Sequence, residues 1–130
     1  MADKLQFSLV SPEAELFSGE VDQVDVPGTE GDFGVFAHHA PFMAAIRTGA
    51  ITVYNEGTET RYMIQGGFAD VMPDGLTILA ESCTPMSDVK ADMISEEITK
   101  AETALAAAEG DASLPVAQHL DGLKQLAESL

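Results

Sequence analysis

The chain has 130 residues, 45% of them hydrophobic, and 22 acids against 6 bases give a formal net charge of −16. That length holds one domain of ordinary size or two small ones, with enough apolar residues for a packed core. The charge argues against nucleic acid and anionic lipid as partners, since both are bound through Lys and Arg, and a lone Cys83 excludes an intrachain disulfide.

Residues 1–86 carry 13 acids and 3 bases, and residues 87–130 carry 9 and 3. No acidic tail or basic patch stands apart, so the charge reads as a solvated surface. The opening "MADKLQFSLVSPEAEL" lacks a basic stretch followed by an apolar one, and it lacks an Arg-rich amphipathic helix. A targeting peptide is not expected. No run reaches the roughly 18 apolar residues of a membrane span, so direct membrane insertion is not expected either.

Residues 1–86 read as short strands bounded by Gly, Pro and Asp. "LQFSLV" alternates Leu5, Phe7 and Leu9 with other residues, and "VDQVDV" runs to a turn at Pro27-Gly28. "AITVY" and "RYMIQ" flank "NEGTET", a hairpin connection containing Gly57. "FADVM" and "LTILA" flank Pro73-Asp74-Gly75, where Pro presets φ and Gly takes a positive φ. Frequent turns between short strands predict an antiparallel sandwich or barrel. Cys83, near a strand end, reads as a small buried hydrophobe.

The pattern changes after Met86. From Asp88 to Glu109 there is no Gly or Pro. Val89, Met93, Ile94, Ile98, Ala101, Leu105 and Ala108 form a stripe at helical steps. Ser87 or Asp88 is the expected N-cap and Gly110 the expected C-cap. A second helix is predicted from Ser113, with Pro115 in its first turn and a stripe of Val116, Leu120, Leu123, Ala127 and Leu130, Leu126 beside it. The short link makes an antiparallel hairpin. The fold class is α+β: a sandwich or barrel over 1–86, then a two-helix hairpin over 87–130. The first helix is alanine-rich in its second half, so its docking buries little area and the hairpin should be the mobile half.

Candidate chemistry centres on "PGTEGDFGVFAHHAP" (27–41), with glycines at GxxGxxG spacing, two acids and two histidines. A phosphate loop leads from a strand into a helix. Here "VFAHHAPF" follows, and Glu30 and Asp32 would repel a phosphate. Gly28, Gly31 and Gly34 read instead as turn residues, with Pro41 closing the segment. Adjacent His38 and His39 point to opposite faces of a strand, and no metal-ligand spacing appears. No GxSxG is present, and Cys83 has no obvious His partner in sequence. Gly66-Gly67 reads as a bulge or close approach between strands. No catalytic residue, metal or cofactor is expected, and the residues alone give an interaction module.

The order of features is more specific than any one of them. "SPEAELFSGEVDQVDVPGTEGDFGVFAHHAP", then Gly49-Ala50-Ile51, then "QGGFADVMPDGLTILAE", then an acidic, Ala-rich helical tail resembles the epsilon subunit of bacterial F-type ATP synthases. The same family includes chloroplast epsilon and mitochondrial delta subunits. The motifs lie within 4–82, and beyond 87 the likeness is only architectural. The resemblance implies a ten-stranded sandwich with a helical hairpin, at the foot of the central stalk. One sandwich face would pack on the gamma subunit, and one end would rest on the c-ring. It implies a non-catalytic rotor part that couples proton flow to ATP synthesis, peripheral on the cytoplasmic side of the bacterial inner membrane. It places Ser11, Glu30, Asp32 and His39 at the ring-facing end, with Asp32 as a ring contact.

Two departures bear on the hairpin. Members that bind ATP carry an Ile/Leu-Asp-x-x-Arg-Ala pattern where the first helix begins. Here Lys90 replaces the Asp and Met93 the Arg, which removes a bidentate phosphate partner, so ATP binding is not expected. In many bacterial members the hairpin extends, touches the alpha and beta subunits and inhibits ATP hydrolysis. With only Lys90, Lys100 and Lys124 against 9 acids, this hairpin is poorly suited to that role. The alternative is a free-standing sandwich that binds a ligand or metal. It leaves the hairpin unexplained.

Overall fold

The structure, a computed structural model, describes residues 4–37, 40–73 and 75–128. Ten strands come first: β1 (Leu5–Val10), β2 (Glu15–Val21), β3 (Gln23–Val26), β4 (Phe33–Val35), β5 (Phe42–Ile46), β6 (Gly49–Asn55), β7 (Thr58–Ile64), β8 (Gly67–Met72), β9 (Gly75–Ala80) and β10 (Cys83–Pro85). Two helices follow, α1 (Ala91–Ala107) and α2 (Ser113–Glu128).

The strands form two five-stranded sheets, ordered β2-β1-β9-β8-β5 and β10-β7-β6-β3-β4. Every pairing is antiparallel except β1 with β9, which is parallel. Period-2 alternation sends one set of side chains between the sheets. Leu5, Phe7 and Leu9 of β1, Val24 and Val26 of β3, Ile51 and Val53 of β6 and Leu76 and Ile78 of β9 are buried in one cluster there. Phe7 and Phe17 add an aromatic contact with centroids 5.5 Å apart.

"VDQVDV", read as one run, is two strands in different sheets. The break is Asp22, which bonds across the corner. Its carboxylate accepts Lys4 Nζ at 2.8 Å and the Glu56 backbone N–H at 2.7 Å. The hairpin turn between β6 and β7 has φ of 52° at Glu56 and 80° at Gly57, the pair of positive values that a two-residue turn matching the strand twist requires.

The helices differ from expectation at their ends. A 3-10 turn takes Met86–Asp88, so α1 starts three residues later than Asp88, with Lys90 as N-cap and no side-chain cap bond. Ser87 and Asp88 are committed to that turn, where Val89 N–H donates to Met86 O. α1 ends at Ala107, and Gly110 (φ 60°) opens a second 3-10 turn rather than capping the helix. The stripes are also rotated. Met93 is 41% exposed and Ala127 is exposed, while Leu126 is buried. Leu130 lies outside the described residues.

A second cluster joins hairpin and sandwich: Val89, Ile94, Ala101, Leu120, Leu123 and Leu126 pack with Met63 of β7, and Ala50 of β6 lies against them. Ala50 and Met63 are cross-strand partners near the β5–β6 turn. The hairpin therefore covers only that part of the second sheet's outer face. Farther along, the outward residues are polar: Thr52, Tyr54, Arg61 and Glu59.

Two outcomes follow. In hydrogen exchange on the isolated chain, α1 and α2 amides exchange faster than those of β1 and β9, because a small contact holds them and α1 lacks a side-chain cap. Lys4, and secondly the Glu56 N–H, hold the Asp22 carboxyl below the usual carboxylate value. A lowered folded pKa contributes stability above the unfolded value that is lost as pH falls through the folded one. Asp22→Asn should flatten the acid limb of a stability–pH curve below about pH 4.

Candidate docking site

Strand directions gather five connections at one end of the sandwich. β1, β3, β5, β7 and β9 all finish there, as their registers require. Ser11, Glu30 and Asp32 are brought to that end, with Arg47-Thr48, Gln65-Gly66 and Glu81-Ser82. His39 lies outside the described residues. Pro41 belongs to the crossover from β4 to β5, directly ahead of Phe42.

The 27–32 loop is held by its backbone. Gly28 bridges Ile46, Thr29 N–H donates to Ala45 O at 3.0 Å, and Arg47 N–H donates to Pro27 O at 2.9 Å. A Cβ on Gly28 would stand 2.5 Å from Gly31 O, and Gly31 has φ 138°, so this tight coil needs both glycines. Gly34 sits within β4, where a Cβ would come 3.0 Å from Asp25 Oδ1. Ser11 closes its own turn through N–H to Ala14 O at 2.9 Å. Glu30 is exposed. Asp32 Oδ1 accepts Arg47 Nη2 at 2.7 Å, yet the Asp32 side chain remains 67% exposed.

The other feature is apolar. On the outer face of the first sheet, Ala45, Phe68, Leu79 and Val10 stand side by side on β5, β8, β9 and β1. Phe68 is 53% and Leu79 55% exposed, with Met43 and Met72 also exposed on the same face. A cavity of about 360 Å³ opens at the row's end between Val10, Ser11, Pro12, Phe68 and Leu79. An exposed apolar patch of this kind marks an interaction site. Gly66 (φ 84°) precedes β8 and Gly67 (φ 147°) begins it, and a Cβ on Gly67 would stand 2.3 Å from Leu79 O. That close approach sets Phe68 against Leu79.

Sequence reasoning missed this row, although the signal was present. "GFADVM" puts small Ala69 and Val71 inward and large Phe68 and Met72 outward, the reverse of a strand whose outer face meets water. It also missed Gly122. This glycine is buried in α2, and a Cβ there would lie 2.0 Å from Thr48 O. A mid-helix glycine costs about 1 kcal/mol relative to alanine, and that cost was the clue. Lys90 and Met93 sit exposed at the start of α1. Cys83 is half-buried rather than buried, and burial pushes its thiol up to about 11, which disfavours the thiolate at neutral pH. Among the described residues no group of three or more His, Cys, Asp or Glu could hold a metal.

An exposed apolar row, a loop-built end and a docked helical hairpin give this sandwich the form of a docking module. Residues 4–86 match the family described as ATP synthase, Delta/Epsilon chain, beta-sandwich domain. A protein of Maricaulis maris named ATP synthase epsilon chain is 54% identical over 111 residues, 85% of this chain and 84% of its own. One of the same name from Parvibaculum lavamentivorans is 49% identical over 128 residues, 97% of each chain. The fold is shared with a chain of the Euglena gracilis mitochondrial ATP synthase OSCP/F1/c-ring structure (TM-score 0.79, 19% identity, 97% of this chain and 81% of that one). A chain of the Tetrahymena thermophila mitochondrial ATP synthase central stalk/c-ring structure also shares it (TM-score 0.70, 10% identity, 98% and 97%). The chain belongs to the ATP synthase delta/epsilon-chain family.

Gly67→Ala should lower stability by about 1–3 kcal/mol, because the new Cβ meets backbone in a conformation that disfavours side chains. Thermal unfolding reads the loss.

Proposed function

We propose that this chain is the epsilon chain of an F-type ATP synthase, a rotor part that links the gamma subunit to the c-ring and couples proton flow to ATP synthesis. It catalyses nothing itself. The observation that carries the reading is the apolar row Val10–Leu79–Phe68–Ala45, left open on one sheet while the hairpin covers the apolar part of the other. Gamma takes that row. Large apolar side chains at the centre of an interface contribute most of its affinity.

The loop end takes the ring. Ser11, Glu30 and Asp32 share it, and rim charges of this kind set orientation and register more than affinity. Asp32 keeps most of its surface open while Arg47 fixes its direction. Among the described residues no helix is long and apolar enough to cross a membrane, and attachment through gamma and the ring makes the chain peripheral, on the cytoplasmic side of a bacterial inner membrane. Its hairpin, with few cations, makes at most a transient contact with alpha and beta subunits and is a weak inhibitor of hydrolysis.

Phe68→Asp and Leu79→Asp alter exposed side chains, so both variants should keep the wild-type circular dichroism. Each should weaken binding to the cognate gamma subunit about 30-fold or more in a titration of purified subunits. Wild-type affinity in both folded variants would remove gamma from this face.

A further inference from the structure

Four residues of α2 meet the loop end of the sandwich: Gln118, His119, Gly122 and Gln125. They recur at steps of one, three and three, so they lie along one flank of the helix, beside Leu120, Leu123 and Leu126 of the hairpin cluster. Gln118 Nε2 donates to Thr29 O at 3.0 Å. His119 Nδ1 lies 2.5 Å from Thr48 Oγ1. Gly122 lets the helix backbone rest on Thr48 O, and Gln125 Oε1 accepts Arg47 Nη1 at 3.4 Å.

Arg47 is the centre of this arrangement. Its side chain is 18% exposed. Nη1 also donates to Thr48 O at 3.1 Å, and Nη2 holds Asp32 at 2.7 Å. One guanidinium thus ties α2, the β5–β6 turn and the far end of the 27–32 loop. A cavity of about 150 Å³ between Pro27, Asp32, Arg47 and Gln125 leaves these groups room to rearrange. The loop is fastened to α2 twice, at Thr29 by Gln118 and at Asp32 through Arg47.

We propose that the docked hairpin is a clamp on the 27–32 loop, with Arg47 as its positioning residue, so that hairpin docking and the shape of this loop form one equilibrium. The coupling stands on contacts within this chain. It rests on the reading above only in giving the loop a ring as its partner. Linkage is reciprocal: whatever favours the clamped loop favours the docked hairpin by the same factor. A partner seated on the loop would then be felt by the helices without touching them, and release of the helices would loosen the grip on that partner.

The test is amide exchange by NMR on the full chain, with no other subunit present, so its failure is separate from failure of the gamma or ring assignment. Gly122→Ala places a methyl where Thr48 O stands while raising helix propensity. Expected are loss of the His119–Thr48 contact, unchanged helical circular dichroism, and about tenfold faster exchange at the Thr29 and Gly31 amides. The β1 and β9 amides should keep their rates. Arg47→Met should speed exchange both in the loop and in α2 around Gln125. Arg47→Lys restores a partner for Asp32 but not the fork to Thr48 and Gln125, so loop protection returns in part while that end of α2 stays loose. Asp32→Asn supplies the reciprocal measurement, faster exchange in α2. Loop amides at wild-type rates after α2 has left Thr48 would overturn the clamp. So would α2 still seated on Thr48 in Gly122→Ala, or wild-type protection throughout in Arg47→Met.

Discussion

Two amphipathic sheets bury their inner faces in one shared core, and that packing leaves each with an outer face to account for. Everything else depends on how those two faces differ. On the second sheet the outward residues near the β5–β6 turn are Ala50 and Met63, and the hairpin covers them. On the first sheet the outward row includes Phe68 and Leu79, and none of the described residues covers it. Burial of apolar area stabilises by about 25 cal/mol per Å², so an uncovered row of this kind is stabilisation held for a partner.

The hairpin is attached by contacts of two kinds. Leu120, Leu123, Leu126 and Met63 supply non-directional burial, while Thr48, Arg47 and Thr29 supply directional bonds to α2. The first kind tolerates sliding. The second, with the Gly122 close approach, fixes one position. A small contact with a single geometry suits an element that leaves and returns to the same place. The residues that fix α2 also bound the loop carrying Glu30 and Asp32, so this end of the molecule is shared between the helices and whatever faces the loop.

Asp32 shows how far a residue's role depends on its neighbours. In the sequence it is one acid in a glycine-rich loop. In the fold it is paired with Arg47, which is fifteen residues away and in another turn. The pair is partly exposed, and such pairs contribute little to stability. Its consequence is geometric, because Arg47 aims the carboxylate and ties it to α2.

The sequence by itself determined the class of fold, its division of strands and helices, and the family. Those depend on local patterns: period-2 runs such as "LQFSLV", a turn residue at Gly57, the Gly-free stretch after Asp88, and a motif order that survives without coordinates. Tertiary structure alone decided which face each strand presents to which neighbour. It put Phe68 beside Leu79 across β8 and β9, placed β1 parallel to β9, moved the start of α1 to Ala91 and set Gly122 against Thr48. The physical reason is that the β1–β9 and Gly122–Thr48 contacts join residues distant in the chain, and a pattern read over neighbouring residues carries no record of which distant residue will lie opposite.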